Sequence, residues 1–401
     1  MSKARDIANL GGDTANLETL AAGPASDMVA VGNAYSDGAL SNRNLIINGA
    51  MQVAQRGGTN TSTGYGPLDR WTFNQTGLDN ATYTISHNTS SDNPEFSNSL
   101  KFTTGTAESS VDADDRAYFD YRIEGQNLQH LNYGGNDAKA ITLSFWVKSS
   151  ITGTYASFIY QSDVSPNRSY LVNWTINTAN TWEKKVITIA GDTAGNINND
   201  TGDAFYLRWF LFAGSDWSDS STPLHTWGST VGRKEAPNQS AQVLLTSGST
   251  WEITGVQLEV GDTATPFEHR SYGQELALCK RYFQKSYNDG TPVGTATSNG
   301  QVNWLTSQQW GVTSVPTGPI TQGYVLASPE LRATATVVPY SPVTGTANRF
   351  YLQSTSSDVT PNAWLQQAPS TVHIGYPQNA GGGGFSNTDT VKFHWTADAE
   401  L

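Results

Sequence analysis

The stretch 251–260 reads Trp-Glu-Ile-Thr-Gly-Val-Gln-Leu-Glu-Val, and it limits the possible folds more than any other part of the chain. Its apolar residues lie first at odd and then at even positions: Trp251 and Ile253, then Val256, Leu258 and Val260. Because successive side chains of a strand point to opposite faces, this change of phase requires one extra residue. We predict a β-bulge at Gly255. Leu258 then faces the core, and we expect Glu259 to face solvent and to tolerate alanine.

The sequence predicts that a helix begins after this strand. Ser271, with Gln274 three residues later, matches a capping box, and Leu276, Cys279 and Phe283 recur at helical spacing. We therefore predict a short linker helix over residues 271–286. The single cysteine excludes an internal disulfide, and we interpret it as a small buried hydrophobe of this helix.

Composition narrows the class of protein. The chain has 401 residues, of which 37% are hydrophobic, 14% charged and 11% aromatic. This length predicts two or three domains, and the composition suits short strands joined by many turns. A net charge of -12 argues against a nucleic-acid partner, whose phosphates would be repelled. The sequence lacks both a run of about 18 apolar residues and a secretory signal at its start, so we expect a soluble protein without membrane insertion.

Alternating segments predict the architecture. Examples are residues 141–148, 182–190 and 205–212, and in the last of these both faces are apolar, which is typical of a central strand. Repeated strands at turn-separated spacing favour a two-sheet sandwich of the jelly-roll type. We predict an all-β protein with four parts: an extended N-terminal docking arm over 1–43, a jelly-roll β-sandwich over 44–270, the helix over 271–286 and a smaller β-sandwich over 287–401.

Aromatic residues supply the candidate ligand site. Twelve tryptophans and seventeen tyrosines exceed what sheets of this size need. Trp217 and Trp227 lie in the polar segment 214–238, which reads as a loop. An indole in a loop either packs on the edge of the sandwich or offers a stacking platform to a sugar ring. These two tryptophans are the predicted ligand-binding residues.

Motifs for catalysis are absent from the sequence. It contains no phosphate-binding glycine loop, dinucleotide fingerprint, nucleophile elbow or zinc helix, and its six histidines have no ligand spacing. We therefore predict no catalytic residue, no cofactor and no metal ligand. Two oxygen-rich segments, 112–115 and 196–203, leave a structural calcium site open as an alternative to ordinary polar turns.

Three parts of the sequence resemble bacteriophage and prophage tail-fibre and structural proteins. The first is the Gly-Val-Gln-Leu-Glu-Val-Gly strand at 255–261, followed by Thr-Pro-Phe-Glu and Leu-Cys-Lys-Arg-Tyr-Phe. The others are 44–51 with Asp-Arg-Trp at 69–71, and the terminal 393–401. In addition, the strands at 141–148 and 181–189 resemble those of carbohydrate-binding modules with a jelly-roll fold, a likeness that covers about residues 65–262.

The resemblance implies a virion component that is made in the host cytoplasm. Such a protein is expected to be a homotrimer that docks to other virion proteins through residues 1–43 and attaches to host-surface polysaccharide or lipopolysaccharide. A tail fibre or receptor-binding protein without enzymatic activity is the expected role. Two alternatives stay open: a capsid or neck decoration fibre with a purely structural role, and a glycan-degrading tailspike enzyme.

Overall fold

A computed structural model of the chain describes residues 42–232, 234–305, 324–326, 328–360, 371–373 and 390–401. Apart from its last two residues, the predicted N-terminal arm over 1–43 lies outside the described residues.

Two antiparallel sheets build the N-terminal unit. The six-stranded sheet has the order β1 (Thr59–Asn60), β4 (Tyr83–Asn88), β5 (Ser99–Thr104), β13 (Thr250–Val260), β7 (Ile141–Ser149) and β10 (Glu183–Ile189). The seven-stranded sheet has the order β12 (Trp227–Ser229), β9 (Arg168–Ile176), β8 (Gly153–Gln161), β11 (Asp203–Ala213), β6 (Arg116–Glu124), β3 (Trp71–Thr76) and β2 (Gly64–Tyr65). Side chains of both sheets share one core, in which Trp71, Trp209 and Trp251 are among the largest fully buried groups. The all-β, jelly-roll sandwich prediction is confirmed, and β11 is central in its sheet as predicted.

The predicted bulge is present in β13. Its pairing with β7 shifts register between Thr254 and Gln257, and Gly255 has a φ of 60°. Two features exclude a larger residue at position 255. The left-handed backbone disfavours any residue with a side chain, and an added Cβ would lie 2.5 Å from the ring of Phe96. Beyond the bulge Leu258 is fully buried in the core, as the phase of the sequence predicts.

Glu259 departs from the prediction. It lies on the face of β13 opposite to Leu258, yet it is only 2% exposed. Its carboxylate accepts hydrogen bonds from the backbone N–H of Thr265 at 2.8 Å, from the Thr265 hydroxyl at 2.6 Å and from the side chain of Gln257 at 2.9 Å. The expectation of a solvent-facing Glu259 is therefore wrong, because alternation identifies the face of a strand but not the segment that covers it.

The single α-helix of the described residues, α1 (Tyr272–Lys280), begins at the predicted capping box. The backbone N–H of Gln274 donates to the Ser271 hydroxyl at 3.3 Å, and the backbone N–H of Ser271 donates to the Gln274 side chain at 3.0 Å. Cys279 is fully buried beside Val53, in agreement with its interpretation as a hydrophobe. Burial also raises the pKa of its thiol, which keeps it protonated.

The helix ends earlier than predicted. Residues Phe283–Lys285 form strand β14 instead of continuing the helix to residue 286. Strand β14 pairs antiparallel with β21 (Thr390–Asp398), more than a hundred residues later in the sequence. This part of the helix prediction is wrong because long-range strand pairing outweighs local helical spacing.

Strand β21 organises the C-terminal unit. It pairs with β14, β15 (Val302–Leu305), β17 (Thr336–Tyr340) and β18 (Phe350–Leu352), and β19 (Ser357–Val359) pairs with β18. A separate ladder joins β16 (Tyr324–Leu326) and β20 (Thr371–His373). Phe350, Phe393 and Trp395 lie in the core of this unit. The chain thus ends in a paired strand as predicted, while the predicted domain boundaries stay a prediction.

Buried ion pairs connect the two units, and we call this region the joint. Arg70 and Glu400 form an ion pair whose side chains are 1% and 3% exposed. Arg56 also contacts Glu400, at 3.4 Å, and Asp398, at 3.0 Å. The guanidinium of Arg70 lies 3.4 Å from the ring centroid of Tyr282. Cations of the sandwich therefore hold the carboxylates of Asp398 and Glu400 at the end of β21.

The segments that carry the tail-fibre resemblance meet at and beside the joint. Asn44 donates to the backbone carbonyl of Val256 at 3.1 Å and accepts from the N–H of Leu258 at 3.1 Å. The backbone N–H of Asn48 donates to Glu275 of α1, and the Asn48 side chain donates to the carbonyl of Asp69 at 3.0 Å. These residues satisfy one another's buried polar groups. Their role in this structure is architectural.

Candidate ligand-binding face

The outer face of the seven-stranded sheet is divided into a covered and an open part. Along β11, Leu207 and Trp209 point into the sandwich core, so Tyr206, Arg208 and Phe210 point outward. The segment that follows β11 covers one part of this face. It packs its own Trp217, Leu224 and Ala236 against an outer apolar cluster that consists of Tyr118, Ala156, Phe158, Leu171, Phe210 and Ala213.

The open part carries what we call the tyrosine row, defined as Tyr160 of β8, Tyr206 of β11 and Arg122 of β6. Strand register places these three half-buried residues directly side by side. The two tyrosine rings stack with centroids 5.1 Å apart and an interplanar angle of 8°. The Arg122 guanidinium lies 4.6 Å from the Tyr206 ring centroid. Three flat groups therefore form one continuous stack across three strands.

Hydrogen bonds fix the orientation of the row. The Tyr206 hydroxyl donates to Asp203, which also pairs with Arg122 at 3.3 Å. The side-chain amide of Asn167 donates to the hydroxyl of Tyr160. Burial, followed by the hydrogen bond to Asp203, raises the pKa of Tyr206, so this phenol stays a neutral donor. The side chains are held in place before any ligand arrives, which lowers the entropic cost of binding.

A buried ion pair lies beside the row, two positions further along strands β11 and β6. Arg208 and Asp120, paired on adjacent strands, make two hydrogen bonds of 2.7 and 3.0 Å. Arg208 also contacts Glu235 of the covering segment at 2.7 Å. The charges of Arg122 and Asp203 offset each other in the same way. The face therefore offers aromatic surface with neutral hydrogen-bonding groups, which matches the apolar faces and hydroxyls of a saccharide better than it matches a strongly charged ligand.

Trp217 takes part in the covering segment. It is half-buried, its indole N–H donates to the carbonyl of Asp114 at 2.7 Å, and the guanidinium of Arg116 lies 3.7 Å from its ring centroid. The indole is thus fixed on both its edge and its face by the protein itself.

Trp227 lies in strand β12, not in a loop as the sequence suggested. Its ring is half-buried against Tyr133, Tyr170 and Phe205, and its N–H donates to the carbonyl of Ala190 at 2.6 Å. Trp217 packs on the outer cluster and Trp227 packs on the sandwich core, so the structure assigns them to two different apolar clusters. Ligand binding by either residue stays a sequence-based prediction.

The oxygen-rich segments 112–115 and 196–203 are the two places where the sequence leaves a calcium site open. Across the described ranges, no three His, Cys, Asp or Glu side chains are grouped so that they could hold a metal ion. In the first segment Asp115 accepts from the backbone N–H of Asp112 at 2.8 Å and so stabilises the turn itself. The described part of the chain also contains no helix that is long and apolar enough to span a membrane.

The fold defines an all-β protein built on a two-sheet antiparallel sandwich. No family model matches its sequence, and no curated protein sequence matches it. Among solved structures, it is similar to the enzymatically active domain of tailspike protein 4 of bacteriophage CBA120, with 17% identity and a TM-score of 0.30. That match covers 54% of this chain and only 21% of the tailspike chain.

Carbohydrate-binding modules are also among the similar structures. The family 11 module of the cellulase Lic26A-Cel5E of Clostridium thermocellum has 10% identity, a TM-score of 0.27 and coverage of 52% of this chain and 99% of the module. The xylan-binding module CBM22-1 of Paenibacillus barcinonensis Xyn10C has 10% identity, a TM-score of 0.27 and coverage of 55% and 96%. At such low sequence identities and TM-scores the function of a similar structure does not transfer to this chain, so its function has to be inferred from its own surface.

Proposed function

We propose that this chain is a structural protein of a phage virion, a tail fibre or related receptor-binding protein, and that it attaches to host-surface glycan through the tyrosine row. The observation that carries the ligand assignment is the pre-oriented stack of Tyr160, Tyr206 and Arg122 on the open part of a sheet face. The sequence resemblance of segments 44–51, 255–261 and 393–401 supports the virion assignment. In this proposal the protein binds glycan and does not cleave it.

Stacking is expected to dominate the binding energy. Saccharide hydroxyls exchange hydrogen bonds with water for hydrogen bonds with protein, at little net gain, whereas an aromatic face desolvates the apolar side of the ring. We expect the double variant Tyr160→Ala/Tyr206→Ala to bind host polysaccharide at least about 30-fold more weakly, which corresponds to roughly 2 kcal/mol. Biolayer interferometry with a panel of isolated bacterial lipopolysaccharides and capsular polysaccharides measures this loss.

Three further variants make that experiment specific. Tyr206→Phe keeps the stack and loses only the bond to Asp203, so its affinity should fall by no more than a few fold. Val343→Ala removes an apolar side chain of the C-terminal unit that is 54% exposed and should leave binding unchanged. Trp217→Ala/Trp227→Ala tests the sequence-based candidates. Wild-type affinity in the tyrosine double variant would refute the row as the site, and release of shortened saccharide would favour the tailspike alternative.

Self-association and docking belong to the same proposal. We expect a homotrimer, in which residues 1–43 dock to other virion proteins. After internal packing, α1 still exposes Leu278 by 37% and Tyr272 by 48%, and this apolar surface is available for contacts between subunits. Light scattering at micromolar concentration should give three times the 43.2 kDa mass of one chain. The variant Leu278→Glu should shift the distribution towards the monomer. A wild-type monomer under these conditions would contradict the trimer.

A further inference from the structure

The outer face of the six-stranded sheet carries a second cluster of aromatic and charged groups, separate from the tyrosine row. Trp146 of β7 lies opposite Lys184 of β10. Trp182 immediately precedes β10, and continuing this register places it across from Lys148, whose ammonium lies 5.1 Å from its ring centroid. This register makes the two tryptophans diagonal neighbours on one face, with Cβ atoms roughly 7–8 Å apart. Both residues are half-buried.

One loop holds both indoles by their edges. The N–H of Trp182 donates to Asp92 at 2.8 Å, and the N–H of Trp146 points at Glu95 at 3.4 Å. Lys148 completes the arrangement, since its ammonium contacts Asp92 at 2.6 Å and lies 5.1 Å from the Trp182 ring centroid. The indole rings are therefore oriented while part of their surface stays in contact with solvent.

Hydrogen bonds and aromatic packing hold the loop in its conformation. The Asn93 side chain accepts hydrogen bonds from the backbone N–H groups of Glu95 and Phe96 at 2.9 and 3.1 Å. Phe96 is 5% exposed and packs against Phe267 and over the bulge at Gly255. The bulge thus anchors the loop whose carboxylates position the indoles. The bulge predicted from the sequence is thereby connected, through Phe96, to the surface cluster.

We propose that Trp146 and Trp182, together with Asp92, Glu95 and Lys184, form a second saccharide-binding site, for a neutral sugar. Oriented indoles supply stacking surface, and exposed carboxylates are strong acceptors for pairs of sugar hydroxyls. Hydrogen bonds from Lys148 and Trp182 lower the pKa of Asp92, so it is ionised at neutral pH. Lys148 pairs with both Asp92 and Glu252, and Lys101 also contacts Glu252, so these charges largely offset one another. An acidic saccharide therefore finds no attraction that would offset the desolvation of its charge, whereas a neutral one does not need it.

Two sites on the two outer faces of one sandwich would let a single subunit contact two glycan chains, or two parts of one chain. Linked sites gain effective concentration, so weak single-site affinities add up to firm adhesion. This second site stands on its own side chains and holds whether or not the tyrosine row binds glycan.

Fluorine NMR of fluorotryptophan-labelled protein tests the proposal, with the signals of Trp146 and Trp182 assigned from Trp→Phe variants. The probes are maltohexaose, cellohexaose, mannohexaose and galactohexaose as neutral saccharides, and hexagalacturonate as the acidic one. We expect at least one neutral probe to shift both signals, in the wild type and equally in the Tyr160→Ala/Tyr206→Ala variant. Trp182→Ala and Asp92→Asn should weaken that binding at least about tenfold, while Val343→Ala, at an exposed position of the C-terminal unit, should leave it unchanged.

Three results would overturn this inference: no probe shifts either signal, the shifts disappear in the tyrosine-row variant, or the acidic probe binds more tightly than the neutral ones. Far-UV circular dichroism and a thermal melt of each variant confirm that the sandwich is folded. Weaker binding of host polysaccharide by the tyrosine-row variant, with the Trp146 and Trp182 shifts retained, would leave the second site standing and assign the remaining affinity to it.

Discussion

Replacing Glu400 with alanine is expected to lower the free energy of unfolding by about 3–5 kcal/mol, although this residue is the penultimate one of the chain. Terminal residues usually tolerate change. Here the carboxylate is 3% exposed and pairs with Arg70, which is 1% exposed. Without it, the Arg70 guanidinium would stay buried between the two units with its charge uncompensated, and Arg56 would lose one of its two acidic partners. Guanidinium denaturation followed by near-UV circular dichroism measures the loss.

Two control variants show whether the loss of stability comes from breaking the ion pair or from removing any carboxylate of this unit. Glu330→Ala removes an exposed carboxylate of the same unit and should change stability by less than about 0.5 kcal/mol. Arg70→Met/Glu400→Leu replaces both charges by apolar groups and should cost much less than Glu400→Ala alone, because no unpaired charge is left. If Glu400→Ala and Glu330→Ala have the same denaturation midpoint, the joint does not depend on this pair.

A second large effect is expected at β13, where Leu258→Ala should cost about 2–5 kcal/mol. Leu258 is fully buried between the two sheets and pairs in register with Leu143, so truncation leaves a cavity in the core. Glu259→Ala should also destabilise, by about 1–3 kcal/mol, because two donors of Thr265 and one of Gln257 lose their acceptor. Val186→Ala, at a position that is 53% exposed, is the control. Equal, near-zero changes for Leu258→Ala and Glu259→Ala would contradict this register.

The bulge explains why Leu258 and Glu259 stabilise the protein in different ways. Gly255 moves Leu258 onto the core face and Glu259 onto the outer face, where the segment around Thr265 covers it. One position therefore depends on apolar packing and the next on hydrogen bonds in a site closed to water. Both contributions require the same register of β13 on β7.

Local features of the sequence determined the all-β class, the bulge at Gly255, the capping box at Ser271, the central position of β11 and the terminal strand. Each of these follows from side-chain periodicity or from residues within a few positions, and such signals survive folding because they set backbone geometry directly. The resemblance to tail-fibre proteins is of the same kind, since it lies in contiguous segments.

Only the tertiary structure decided where the helix ends, what covers Glu259, which cation pairs with Glu400, and which aromatic side chains share a face. Arg70 and Glu400 are 330 residues apart in sequence, and Tyr160 meets Tyr206 only through the register of β8 on β11. Periodicity assigns a side chain to a face of its own strand but does not identify the neighbouring strand or its alignment. For that reason the sequence directed attention to tryptophans in an apparent loop, whereas the open stack of Tyr160, Tyr206 and Arg122 emerges only when three distant strands are paired.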